Sequence, residues 1–377
     1  MNDSPDKIVA TTFKGLEDVL AREIKETGGK SVRKLVRAVE FYGDKALLYK
    51  ANMKLSTALR ILLPVAHWRN IKSVSSLYNK AYEFPWENYF HSRKSIFFHF
   101  SGELDTIPHS KFVSQKVKDA IADRFRDRFG HRPDIDKENP QIRINLHLFR
   151  DQITVSLDSS GDPLFKRGYR EDTGPAPLNE VLAAGLVKLT KWHGETHLID
   201  PMCGSGTILI EAVMQSMHIP PNLNRDFSFM HWKNFDESVY KHTKEQLKEH
   251  IRTAYDIIQV AGYDKDAAAV EKARQNAVNA GVDKYIRFEH TDFFETRKIP
   301  GPVTLIFNPP YDKRLSLVSR EKFYKKMAGH LKENYKWAVA WMITPERMDK
   351  YFHKKPVRSY RLMNGKIPVW FSGFNLD

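Results

Sequence analysis

Apolar and polar positions along the first 160 residues alternate in two mixed blocks. Residues 8–14 read as a strand, and residues 15–27 place Leu16, Val19, Leu20 and Ile24 on one helical face before Gly28-Gly29 ends the helix. Residues 32–41 and 46–49 alternate around Gly43-Asp44 and predict a hairpin. The second block has a strand at 95–100, a helix at 110–129, and strands at 141–149 and 152–157 that meet at Arg150-Asp151. Elements in this order predict small α+β sandwiches.

Residues 159–177 break the pattern with a stretch rich in Gly, Pro and charge, as a linker would be. Beyond it, short apolar strands at 197–200, 257–263, 285–289 and 303–307 alternate with helices at 178–192, 207–217, 267–279 and 320–334. Strand–helix alternation predicts a parallel sheet wound on both faces. Residues 358–363 and 366–371 alternate around Asn364-Gly365, a turn signal for an antiparallel hairpin. A doubly wound sheet closed by such a hairpin resembles the layout of class I methyltransferases.

Composition narrows the class. The chain has 377 residues, 41% hydrophobic and 28% charged, enough apolar surface for two or three domains. The longest apolar runs, 61–66 and 337–343, are strand-sized, well short of the roughly 18 residues that cross a bilayer. The N-terminus lacks a leader pattern, and the single cysteine, Cys203, leaves no intrachain disulfide or cysteine-based zinc site. These features predict a soluble cytoplasmic protein. Sixty Lys+Arg against 46 Asp+Glu give a net charge of +14. That excess favours polyanions, since each neutralised phosphate releases counterions. A basic surface kept for solubility is the plainer alternative. No lysine-rich amphipathic helix or lipidation motif points to a membrane, and the 15 histidines show no H-x-E or H-x-x-x-H pairing, so no metal is assigned.

Candidate chemistry sits at the ends of the second set of strands. The string DPMCGSGTILIEA, from Asp200, follows one strand and opens a helix. Gly204 and Gly206 permit a tight turn and close approach to a ligand. The third glycine of a dinucleotide fingerprint is replaced by Leu209. A carboxylate at the strand end repels pyrophosphate and suits a ligand with a positive centre and an amino-acid group, such as S-adenosylmethionine. Asp264 ends the next strand, where an acid can accept the ribose hydroxyls of a nucleoside. Its distance of 64 residues from Asp200 makes residues 218–254 an insertion, and both Asp264 and Asp266 could instead be helix caps. Asp292 and Phe293 follow the third strand, placed to meet an adenine. Asn308-Pro309-Pro310-Tyr311 follows the fourth. The Asn308 carboxamide oxygen and the Pro309 carbonyl are two acceptors for an exocyclic amine, whose lone pair they help localise, and Tyr311 offers a stacking face for a flipped base.

These strings, together with PNLNRDFSFMHW from Pro221, GYDKDAAAVEKARQNA, NPPYDKRL, GDPLFKRGYR from Gly161, APLNE and HSKFVSQKVKDAI, resemble the THUMP-domain RNA methyltransferases over nearly the whole chain. Closest are the bacterial 23S rRNA (guanine-N2)-methyltransferases of the RlmL type. The resemblance implies a ferredoxin-like domain at 1–68, a THUMP RNA-binding domain at 69–158, a linker at 159–180 and a Rossmann-like class I methyltransferase domain at 181–377. It implies S-adenosylmethionine as cofactor and 23S rRNA or a large-subunit precursor as partner. Asp200, Gly204 and Gly206 would hold the methionine end, Asp264 the ribose, and Asp292 with Phe293 the adenine. Met202, Cys203, Ser205, Thr207, Lys265 and Asn308 complete the cofactor-binding set, with Cys203 a small loop residue rather than a nucleophile. Asn308, Pro309, Pro310 and Tyr311 would hold the target amine. RNA would be gripped by Lys166, Arg167, Tyr169 and Arg170 in the linker and by Lys111 and Lys116 on the 110–129 helix. Two departures stand out: Asp312 follows the tyrosine where many relatives have glycine, and no second methyltransferase follows the hairpin, so one activity is expected. Guanine methylation in tRNA, adenine-N6 methylation of DNA, and an RNA-binding assembly factor with a vestigial methyltransferase domain are the other readings.

Overall fold

The computed structural model describes residues 6–107, 110–170, 178–252, 259–296, 302–310 and 317–377. The first half contains β1 (Asp6–Thr11), α1 (Glu17–Thr27), β2 (Lys30–Leu35), β3 (Ala38–Gly43), α2 (Lys45–Lys54), β4 (Arg60–Trp68), α3 (Val74–Glu83), β5 (Ile96–Leu104), α4 (Ser110–Phe129), β6 (Ile142–Arg150) and β7 (Gln152–Asp158). The two α+β blocks share one seven-stranded sheet, ordered β2-β3-β1-β4-β7-β6-β5, because β4 pairs antiparallel with β7.

The hairpin expected around Gly43-Asp44 lies one element earlier. Its strands are β2 and β3, joined through Arg37 at φ +58°. Residues 45–54 form a helix instead of a returning strand. Asp44 is its N-cap, with the carboxylate accepting from the Leu47 N–H at 2.8 Å, and Leu47, Leu48, Ala51 and Asn52 are buried at helical spacing. A turn signal and a helix cap use the same residue type, and here the cap prevails.

The second half contains α5 (Glu180–Thr190), β8 (His197–Asp200), α6 (Thr207–Ser216), α7 (Glu237–Glu249), β9 (Val260–Asp264), α8 (Ala267–Asn279), β10 (Ile286–His290), β11 (Val303–Phe307), α9 (Leu317–Asn334), β12 (Val339–Thr344), α10 (Asp349–Phe352), β13 (Arg358–Asn364) and β14 (Ile367–Asn375). Its sheet is ordered β10-β9-β8-β11-β12-β14-β13, parallel except for the closing β13–β14 hairpin. This is the class I methyltransferase fold. Strand order reverses between β8 and β11, which opens a crevice at their carboxyl ends.

The halves exchange parts. Leu223, Phe227, Phe229, Trp232 and Leu247 of the insertion belong to the core of the first sheet. Phe229 stacks on Tyr49 of α2 at 4.4 Å, and backbone bonds run from Asn222 to Met53 and from Lys233 to Tyr89. In return, Leu16 and Val19 from the start of α1 join the core of the second sheet. Gly185 permits this: a Cβ there would lie 2.6 Å from a Leu16 methyl carbon. The segment read as a linker is packed over its described part, with Ser159, Ser160, Leu164, Arg167 and Tyr169 buried.

Candidate active site

Four strands of the second sheet deliver polar residues to one edge. β8 ends at Asp200 and β9 at Asp264, Asp292 lies just past β10, and Asn308 just past β11. The pairings Asp200↔Gly262, His290↔Asp264 and Leu305↔Ile199 keep these ends nearly level.

The β8–α6 loop turns through Gly204 at φ +53° and Gly206 at φ +78°. A Cβ on Gly206 would come within 2.9 Å of Phe288 and 3.1 Å of Ala273, so conformation and packing both require glycine. Neighbouring elements pin the loop. The Gly204 N–H donates to Asp264 Oδ2 at 2.8 Å, the Cys203 N–H to the Tyr263 carbonyl at 2.8 Å, and Asn276 Nδ2 to the Ser205 carbonyl at 3.0 Å. Ser205 Oγ and Thr207 Oγ1 lie 3.2 Å apart. The two carboxylates after β9 divide in role: Asp266 caps α8, accepting from the Ala268 N–H at 2.9 Å, while Asp264 reaches across to the loop. Lys265 between them is exposed, and its carbonyl meets His290 Nε2 at 3.0 Å.

Charge at this edge is negative and poorly compensated. Asp200 is 2% exposed and accepts from the Met202 N–H at 3.1 Å. Burial raises its carboxyl well above the usual range, and the neighbouring Asp264 charge adds to that. No Lys or Arg among the described residues pairs with it. Burial, with Asp200 and Asp264 nearby, also holds the Cys203 thiol well above its ordinary value, which makes it a poor nucleophile. The donor set therefore fits a ligand that brings positive charge and N–H or O–H groups.

Asp292 Oδ1 accepts from the Phe294 N–H at 2.8 Å. Phe293 is 3% exposed, with its ring 4.6 Å from that of His330; Phe294 is the partly exposed ring, with Lys326 Nζ over it at 3.9 Å. At the end of β11, Asn308 Oδ1 is buried without a hydrogen-bond partner, Pro309 is buried and Pro310 half-buried. Tyr311 lies outside the described residues.

Three residues expected to grip RNA face inward instead. Arg167 is fully covered, pairs with Glu211 at 3.3 Å and donates to the carbonyls of Leu164 and Ser56. Tyr169, 3% exposed, donates to Glu211 at 3.2 Å. Arg170 pairs with Glu180 at 3.1 Å and donates to Thr207 Oγ1 on the cofactor-loop side. Buried carboxylates recruited these side chains, since a buried charge needs a partner. Lys166 remains exposed beside Asp162 at 3.3 Å, Lys111 is exposed, and Lys116 is half-buried and 3.4 Å from Asp119. Sequence reasoning missed Asn276 and Asn279, which hold Ser205 and the Tyr169 carbonyl; their three-residue spacing along α8 was the available signal. Among the described residues, no group of three His, Cys, Asp or Glu could hold a metal ion, and no helix is long and apolar enough to cross a membrane.

Comparison with known proteins matches residues 7–62 to an RlmL ferredoxin-like domain, 72–158 to a THUMP domain and 167–371 to an RMKL-like methyltransferase domain. A ribosomal RNA large subunit methyltransferase K/L from Psychromonas ingrahamii is 36% identical over 97% of this chain and 50% of its own length. The protein of the same name from Syntrophotalea carbinolica is 33% identical over 99% and 54%. The chain thus spans about half the length of the curated relatives it matches. The crystal structure of SMU.472, a candidate methyltransferase complexed with SAH, superposes with a TM-score of 0.88 at 28% identity, covering 99% of both chains. With the fold, the strand-end residues and these matches in agreement, the chain belongs to the RMKL-like methyltransferase domain family, here preceded by THUMP and RlmL ferredoxin-like domains.

Proposed function

We propose that this chain transfers a methyl group from S-adenosylmethionine to the exocyclic N2 amine of a guanine in large-subunit (23S) ribosomal RNA, in the cytoplasm. The observation that carries the reading is Asn308 Oδ1, buried and unpartnered at the crevice. A buried acceptor left unsatisfied costs stability, and an amine N–H from a substrate would satisfy it. Asp200 supplies a second poorly compensated group, suited to the cationic amino-acid end of the cofactor. Asp264 and Asp292 would take the ribose and the adenine. When bound, the cofactor supplies an electrophilic methyl carbon on a sulfonium. The Asn308 carboxamide and the Pro309 carbonyl would hold the amine hydrogens so that the nitrogen lone pair faces the crevice, and the two prolines keep this loop stiff. The names of the relatives and the THUMP match support RNA, and specifically large-subunit rRNA, as the substrate.

The test incubates the full chain with labelled S-adenosylmethionine and rRNA from cells lacking its gene, followed by nucleoside mass spectrometry. Label in N2-methylguanosine is expected. Asn308→Ala should lower turnover by about 100-fold or more while S-adenosylhomocysteine still binds. Label in N6-methyladenosine would move the substrate, and unchanged turnover in the variant would remove Asn308 from the mechanism.

A further inference from the structure

We propose that the β13–β14 hairpin is an RNA-gripping arm beside the active site, holding the phosphate backbone that flanks the target base. The inference rests on the methyl-transfer reading above for its substrate, but its geometry comes from strand register alone. β11 pairs with β12 through Phe307↔Met342, and β12 with β14 through Thr344↔Trp370. Trp370 and its partner Arg361 on β13 therefore stand level with the start of the Asn308 loop. β14 lies two strands from β11, about 10 Å away at the usual strand spacing. The turn at Asn364-Gly365 lies three residues beyond Arg361, so it projects about 10 Å past the catalytic edge.

The chemistry of this arm is one-sided. Residues 358–375 contain Arg358, Arg361 and Lys366 and no Asp or Glu. The guanidinium carbons of Arg361 and Arg347 lie over the Trp370 ring, 5.8 and 5.4 Å from its centroid. The Arg361 and Lys366 side chains are exposed, and Arg361 makes no ion pair among the described residues. Arg347 is 55% exposed and paired with Asp349. An indole that orders a guanidinium from one side leaves its planar N–H edge free to take a phosphate oxygen pair. Charge on an edge strand also discourages edge-to-edge pairing of copies, and that plainer role is separated by the test.

The experiment compares the full chain with the Arg347→Gln/Arg361→Gln pair and with Lys366→Glu, using transcribed large-subunit rRNA as the probe. The expected result is an RNA Kd raised about tenfold or more in the pair. The salt slope should be shallower by about 1.4, since each lost single-strand phosphate contact removes about 0.7. KM for RNA should rise with kcat nearly unchanged, while S-adenosylhomocysteine binding stays at the wild-type value. Lys366→Glu, at a solvent-facing turn, should weaken RNA binding without disturbing the fold. Wild-type RNA affinity and salt slope in both variants would overturn the arm, and so would self-association as the only change. If the wild type binds RNA through these residues but neither binds S-adenosylhomocysteine nor transfers methyl, it is the methyl-transfer reading that fails.

Discussion

Two buried carboxylates in this chain have opposite fates, decided by single neighbours. Burial would raise the Glu23 carboxyl, but Lys188 and hydrogen bonds from Ser56 and Thr57 outweigh it and hold the group below its ordinary value. Asp200 has no such cation, and its carboxyl lies well above its ordinary value. Because its folded-state pKa exceeds the unfolded one, the folded protein binds the proton more tightly, and stability falls as pH rises through that window. The penalty is full above the folded pKa and absent below the ordinary carboxylate range. Asp200→Asn should therefore raise the melting temperature of the ligand-free protein at pH 8 by roughly 2–4 °C. The gap should close as pH falls, while affinity for S-adenosylhomocysteine drops at least tenfold. A variant less stable than wild type at pH 8 would show that the Asp200 carboxylate supports the loop rather than waiting for a ligand.

At the scale of elements, the sequence showed the catalytic half clearly. Parallel strands buried on both faces read as short apolar runs, and each of β8 to β11 is followed by a polar or glycine-rich string that marks its carboxyl end. What stayed hidden had no local signature. The partners of Arg167, Tyr169 and Arg170 are Glu211 and Glu180, and nothing in a basic string shows that carboxylates will turn it inward. The helices α3 and α7 were missed, and the insertion was recognised by length but not by destination. Phe229 shows that destination, wholly buried and stacked between Tyr49 and Phe227. Phe229→Ala should cost about 3–5 kcal/mol, as for other buried aromatic truncations. Urea unfolding followed by fluorescence measures it, and a loss below about 1 kcal/mol would mean that the insertion merely rests on the first half.

For the whole molecule, the exchange of parts makes the RNA-side and catalytic halves one mechanical unit. The insertion lies between β8 and β9 in sequence but completes the core of the first sheet, and the start of α1 completes the core of the second. Between them runs the 159–170 strap, where Arg167 joins Ser56 of the first half to Glu211 on α6, and Arg170 ends on Thr207 beside the cofactor loop. Any displacement of the first half must therefore strain buried ion pairs next to the active site, which fixes the distance between an RNA-holding surface and Asn308. The same interlock forbids a clean cut. A fragment of residues 159–377 would expose Phe227, Phe229, Trp232 and Leu247 and leave Arg167 without the Ser56 carbonyl. Such an apolar patch drives association in a soluble chain. The fragment should bind a hydrophobic dye, aggregate, and lack the cooperative melt of the full chain; a monomeric fragment melting at the full-length temperature would show that the halves are separable and that the strap is only a tether.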